Sequence, residues 1–222
     1  MRLLLAGPVE GNLEEFYSAA EKLKPHWITC TGDFGIWVDP KLIENNVKQY
    51  IKTEFAVYYL GLNKKPINIP TLTIAGAHDD NIWLSRRVAS GNLDILNNVA
   101  YLAQGYKTVI GWENNLRVTG LGKVYSAQTY QGNPSPKAYR HYTRHEVERA
   151  CSSGPTDLLI IYEHIDSPGL RNIVFATRPK LILTPEFPRQ KRYKSVQGIP
   201  IISLARGETK LVEWKDNSFN YL

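Results

Sequence analysis

Cysteine is scarce in this sequence: among 222 residues only Cys30 and Cys151 carry a thiol. Two cysteines give no disulfide framework, and Cys30, inside an apolar run, reads as a small buried hydrophobe. Long hydrophobic stretches are also missing, with nothing near the run of about 18 apolar residues that spans a bilayer. The opening stretch Met1 to Ala6 is too short for a signal-peptide core and is broken by Gly7-Pro8 and then Glu10. No membrane attachment is expected, and a cytoplasmic location is the default. Repeats, low-complexity tracts and clear linkers are lacking too, so one domain over residues 1–222 is expected.

Charge is not balanced. Lys and Arg number 27 against 21 Asp and Glu, a formal net charge of +6. Such a surplus favours polyanionic partners, nucleic acid or phosphorylated ligands, although surplus surface lysines alone give the same figure.

What is present is a series of short, nearly continuous apolar runs. Arg2 to Ala6, Trp27 to Thr31, Thr71 to Ala75, Asp157 to Tyr162, Lys180 to Thr184 and Pro200 to Leu204 read as strands buried on both faces. Further strands are expected at Val99 to Ala103, Lys107 to Ile110 and Leu116 to Leu121, the last two joined by a hairpin over residues 111–115. Thr209 to Trp214 reads as a terminal edge strand. A helix is expected after Gly11, with Asn12 as N-cap and Glu15 as its capping-box partner. Others are expected from Asp39-Pro40 and from Thr143, whose box partner is Glu146. Ser126 to Tyr142 reads as a long irregular loop. The alternation of strand and helix in the first half predicts an α/β fold with a mainly parallel sheet.

In open α/β sheets ligands bind beyond the carboxyl ends of the strands. Those positions here carry Glu10, Gly32-Asp33, Gly76-Ala77-His78-Asp79, Glu163-His164 and Pro185-Glu186-Phe187. Any one of them taken alone reads as a turn or cap residue. Carboxylates and histidines at successive strand ends read as a polar site.

In this order the segments Gly32-Asp33 and Gly76-Ala77-His78-Asp79 resemble the GD and GNH(D/E) motifs of the calcineurin-like metallophosphoesterases. The segments MRLLLAGPVEGNLEEFY, TGDFG, PTLTIAGAHDD and YEHIDSPG resemble its lariat debranching branch, up to about Leu204. The resemblance implies a four-layer α/β sandwich, two mixed sheets flanked by helices. In such enzymes two metal ions share a bridging aspartate, which implies that role for Asp33; a carboxylate offsets the repulsion between the ions. It implies His164 as a retained metal histidine and His78 as the catalytic general acid if the protein is active, or else as a loop-stabilising histidine.

The sequence departs from the pattern elsewhere. Pro8 and Glu10 stand where the first motif has aspartate and histidine, with Glu10 either a donor or a turn glutamate. Ala77 replaces an asparagine, and Pro185-Glu186-Phe187 replaces a pair of histidines. Catalytic zinc typically takes roughly three protein ligands plus water, more than either position retains here unless Glu10, Glu186 or Asp79 compensates. No cofactor, or a weakly held divalent metal (Mn, Fe or Zn in an active form), is expected. Beside this site in the resemblance lies a basic cluster, Arg189, Lys191, Arg192 and Lys194, interleaved with Tyr193; a second such stretch runs from Tyr139 to His145. Both read as surfaces for phosphate and base, or as solvated loops. The expected function is that of a degenerate phosphoesterase-fold protein, a pseudoenzyme, binding nucleic acid, a phosphorylated ligand or a protein partner. The alternative is an active metal-dependent phosphodiesterase or phosphatase with a rearranged or single-metal site.

Overall fold

The computed structural model describes residues 1–111, 115–133, 137–187 and 193–222. The chain opens with strand β1 (Arg2–Ala6), helix α1 (Leu13–Leu23) and strand β2 (Trp27–Cys30). A 3-10 turn (Pro40–Leu42) and two short helices, α2 (Asn45–Lys48) and α3 (Glu54–Tyr59), lead to β3 (Thr71–Thr73). Helix α4 (Asn81–Ala89) precedes β4 (Asp94–Leu96), β5 (Val99–Tyr101), β6 (Lys107–Ile110) and β7 (Leu116–Leu121). Then come α5 (Ala127–Tyr130), a 3-10 turn (Ala138–Arg140), α6 (Arg144–Ser152), β8 (Leu158–Ile161), α7 (Leu170–Thr177) and β9 (Leu181–Pro185). Strands β10 (Ser195–Val196), β11 (Ile199–Leu204), β12 (Thr209–Lys215) and β13 (Ser218–Tyr221) complete the chain.

The strands form two sheets, ordered β13-β12-β1-β2-β3-β5-β4 and β10-β11-β9-β8-β7-β6. In the first, β1, β2, β3 and β5 run parallel. In the second, β7, β8, β9 and β11 run parallel. Antiparallel strands border both parallel cores, so each sheet is mixed.

The two-residue alternation of a strand dictates how the layers stack. Leu3 and Leu5 of β1 point inward and meet Leu158 and Ile160 of β8 and Leu181 and Leu183 of β9, which makes the core between the sheets. Leu4 and Ala6 point the other way and pack on Leu13 and Phe16 of α1 and Leu84 of α4. On the second sheet, Leu159, Ile161 and Ile182 face Val147 of α6 and Ile173 and Val174 of α7. The result is helix, sheet, sheet, helix: the expected four layers.

Four sequence expectations are corrected. Asn12 does not cap α1 with its side chain; its amide donates to Glu15 instead, while Lys52 Nζ donates to its oxygen. Asp39-Pro40 opens a single 3-10 turn, with the Asp39 carboxylate accepting from the Lys41 N–H, and no long helix follows. Thr209 to Trp214 lies inside the sheet, because β13 pairs outside it. The segment Ser126 to Tyr142 contains α5 and a 3-10 turn. The capping box of Thr143 and Glu146 forms as expected. Of the hairpin over 111–115, residues 112–114 lie outside the described residues. Among the described residues no helix is long and apolar enough to cross a membrane.

Candidate functional site

Three loops meet at the carboxyl end of the first sheet: Gly7 to Gly11 after β1, Thr31 to Gly35 after β2, and Gly76 to Asp80 after β3. Their contact depends on a glycine. A Cβ on Gly76 would fall 2.0 Å from Asp33 Oδ1, so no other residue lets the two loops approach this closely. Asp33 itself has φ +46 and Glu10 φ +51, a region that costs a non-glycine residue about 1–3 kcal/mol. The surrounding bonds hold that strain. The Asp33 carbonyl accepts from the N–H groups of Val9 at 3.2 Å and Glu10 at 2.6 Å.

Asp79 is the clamp of this arrangement. Its buried carboxylate accepts from the N–H groups of Gly76 at 2.8 Å and of Gly35 and Ile36 at 2.9 Å each. Burial, with the nearby charge of Asp33, pushes its pKa up to about 6. Asp79 is thus spent on holding loops together.

Asp33 is only 3% exposed, and both its oxygens are engaged. Oδ1 accepts from the His78 backbone N–H at 2.7 Å. Oδ2 accepts from the Tyr162 hydroxyl at 2.5 Å and lies 3.0 Å from His78 Nδ1, an ion-pair approach without good hydrogen-bond alignment. That carboxylate raises the imidazole pKa of His78, against burial. The His78 ring stacks on Tyr50 with centroids 5.9 Å apart, and its carbonyl accepts from Trp37 Nε1 at 2.7 Å.

Glu10 completes the group. Among the described residues, one ligand atom each of Glu10, Asp33 and His78 lie within 4.8 Å of one another. Burial raises the Glu10 pKa, and Arg206 opposes that rise. Arg206 Nε stands 2.6 Å from Glu10 Oε2, in an ion pair that is again not aligned as a hydrogen bond.

The other residues singled out in the sequence lie elsewhere. His164 is outside this group; it lines a small cavity with Glu186, Phe187 and Tyr193. Its Nδ1 is 3.6 Å from Asp166 Oδ2, and its ring is 5.5 Å from that of Tyr193. Ala77 and Phe187, at positions where the resemblance expects ligands, pack on the apolar core that contains Tyr162, and Phe187 meets the Tyr162 ring edge-on at 5.7 Å. Lys194 is exposed beside β10, whereas Arg189, Lys191 and Arg192 lie outside the described residues. Sequence reasoning missed Tyr162 and Arg206 as site residues.

A pair of divalent ions sharing this carboxylate would need lone pairs of Asp33 open to them and free donors around each ion. Here Tyr162 holds one of the Asp33 oxygens, apolar side chains occupy other donor positions, and a guanidinium stands against Glu10. The residues present do not fit a metal pair.

Comparison with known proteins agrees with the fold. No family model matches the sequence. A lariat debranching enzyme from Schizosaccharomyces pombe (strain 972 / ATCC 24843) is 28% identical over 141 residues, 59% of this chain and 27% of that protein. The chain therefore spans about a quarter of the curated relative it matches. One solved structure superposes with a TM-score of 0.63 at 13% identity, covering 95% of this chain and 94% of the other. TT1561 of Thermus thermophilus superposes with a TM-score of 0.61 at 14% identity, covering 99% and 96%. The fold is the four-layer α/β sandwich that these structures share. This fold and the likeness to a lariat debranching enzyme agree with the resemblance of the sequence to the calcineurin-like metallophosphoesterases.

Proposed function

We propose that the chain is a phosphoesterase-fold protein that does not run two-metal hydrolysis and instead binds a phosphate-bearing ligand, nucleic acid being the favoured class. The observation that carries this is the state of Asp33: its Oδ2 accepts from Tyr162 at 2.5 Å while His78 approaches to 3.0 Å. Without a bound metal there is no activated hydroxide at neutral pH and no Lewis acid on the phosphoryl oxygens. The +6 charge and the basic run from Arg189 to Lys194 support an anionic ligand. A role as an assembly component is compatible with the same surface. Elemental analysis of the purified protein, combined with turnover of bis(p-nitrophenyl) phosphate, tests the reading. Substoichiometric metal and background turnover are expected.

One observation favours a second reading, a single-metal phosphodiesterase: the three donors of Glu10, Asp33 and His78 lie within 4.8 Å of one another. One tightly held Mn, Fe or Zn per chain, with turnover abolished in Asp33→Asn, would select it over the first.

A further inference from the structure

Resting on the reading above, we propose that Arg206 is the resident cation of this cleft, standing against Glu10 in the place of a divalent ion, so that its removal turns Glu10, Asp33 and His78 into a divalent-cation site.

Arg206 sits on the connection from β11 to β12, where the chain crosses from the second sheet to the first. That connection is bolted to the loop carrying Glu10. The Gly207 N–H donates to the Pro8 carbonyl at 2.9 Å, and the Gly7 N–H donates to the Glu208 carbonyl at 2.9 Å. The Ala205 N–H donates to Glu208 Oε2, also at 2.9 Å. The guanidinium is held at two points: Nε at 2.6 Å from Glu10 Oε2, and Nη2 donating to the Tyr50 carbonyl at 3.3 Å. Tyr50 in turn stacks on His78. One arginine therefore contacts Glu10 directly and reaches the His78 side of the group through Tyr50.

The chemistry follows from what a guanidinium is. It keeps its charge at any physiological pH, offers only N–H donors and has no lone pair for a metal. The Glu10 side chain is 11% exposed, and a carboxylate so far removed from water needs a positive partner. Arg206 supplies it. An arriving divalent ion would meet that fixed positive charge a few ångströms away and would have to displace it from Glu10 Oε2. With Arg206 gone, two carboxylates and an imidazole remain within 4.8 Å of one another, a donor set that suits Mn or Zn. More than half of the Arg206 side chain is exposed, so its neutral replacement leaves the core untouched.

The test is Mn²⁺ titration of the full chain by calorimetry, with thermal melts to verify folding. The variants are R206Q, R206K and the double variant R206Q/E10Q. R206Q is expected to bind Mn²⁺ at least about tenfold more tightly than the wild type, the gain from removing a nearby like charge. R206K, which keeps the charge, should stay near the wild type, and R206Q/E10Q should lose the gain. Weak Mn²⁺ binding by both the wild type and a folded R206Q would overturn the role of Arg206 while leaving the proposed function intact. Tight stoichiometric binding by the wild type, with Arg206 in place, would overturn both.

Discussion

The Tyr162 hydroxyl donates to Asp33 Oδ2 across 2.5 Å, joining the end of β8 in the second sheet to the loop after β2 in the first. Both groups are buried, so the phenol provides in protein form what a metal ion would otherwise provide: a positive end for a carboxylate that has left water. Burial pushes the phenol's pKa well above its ordinary value, and the neighbouring carboxylate pushes it in the same direction, so the proton stays on Tyr162. Tyr162→Phe should therefore lower folding stability by about 1–3 kcal/mol, the loss of a charge-assisted bond from a buried acceptor. Urea unfolding measures this; an unchanged midpoint and slope would mean that the bond is absent in solution.

Asp79 should prove the most sensitive position of the site without touching a ligand. Its carboxylate serves the N–H groups of Gly35, Ile36 and Gly76. Asp79→Ala strands all of them in a buried place and should cost about 3 kcal/mol or more. Hydrogen exchange should show those amides losing protection together.

Acid should destabilise the protein through Asp157. Burial alone would raise the pKa of this carboxylate, but hydrogen bonds from Arg117, with the help of Lys180, outweigh that and bring it from 3.8 to about 2. A depressed folded-state pKa means stability that is complete above the unfolded value and lost as pH falls through the folded one. Chemical unfolding should show stability declining between about pH 4 and pH 2. Asp157→Asn should flatten that decline and remove about 2 kcal/mol at neutral pH.

Neutralising Arg189, Lys191, Arg192 and Lys194 together should weaken binding to single-stranded RNA or DNA and make its salt dependence shallower. For each phosphate no longer neutralised, the slope of log affinity against log salt falls by about 0.7 on a single strand. Fluorescence anisotropy at several salt concentrations reads both quantities, and an unchanged slope would remove this cluster from any binding surface.

Buried strands were legible because burial on both faces writes itself as a short apolar run: Arg2 to Ala6 and Leu116 to Leu121 match the structure end to end, and so does the more exposed edge strand Lys107 to Ile110. Helix α7 was not legible: its N-cap is Gly169, with φ +86 and no side-chain cap to announce the helix. Helix α4 buries only Asn81 and Leu84, too sparse a stripe to stand out, although Asp80 does cap it. Asp33 and His78 could be read as site residues because glycines mark the turns that carry them. Tyr162 and Arg206 could not. A hydroxyl closing a strand and an arginine in a connection gain their meaning only when topology brings the ends of β8 and β11 against the loops after β1 and β2.

The central claim, that protein groups hold the oxygens of Asp33 against a metal pair, is tested most directly by anomalous diffraction from crystals grown in manganese. The account predicts Tyr162 still bonded to Asp33 Oδ2 and no two manganese ions sharing that carboxylate. Two well-occupied ions bridged by Asp33, with Tyr162 swung aside, would contradict it.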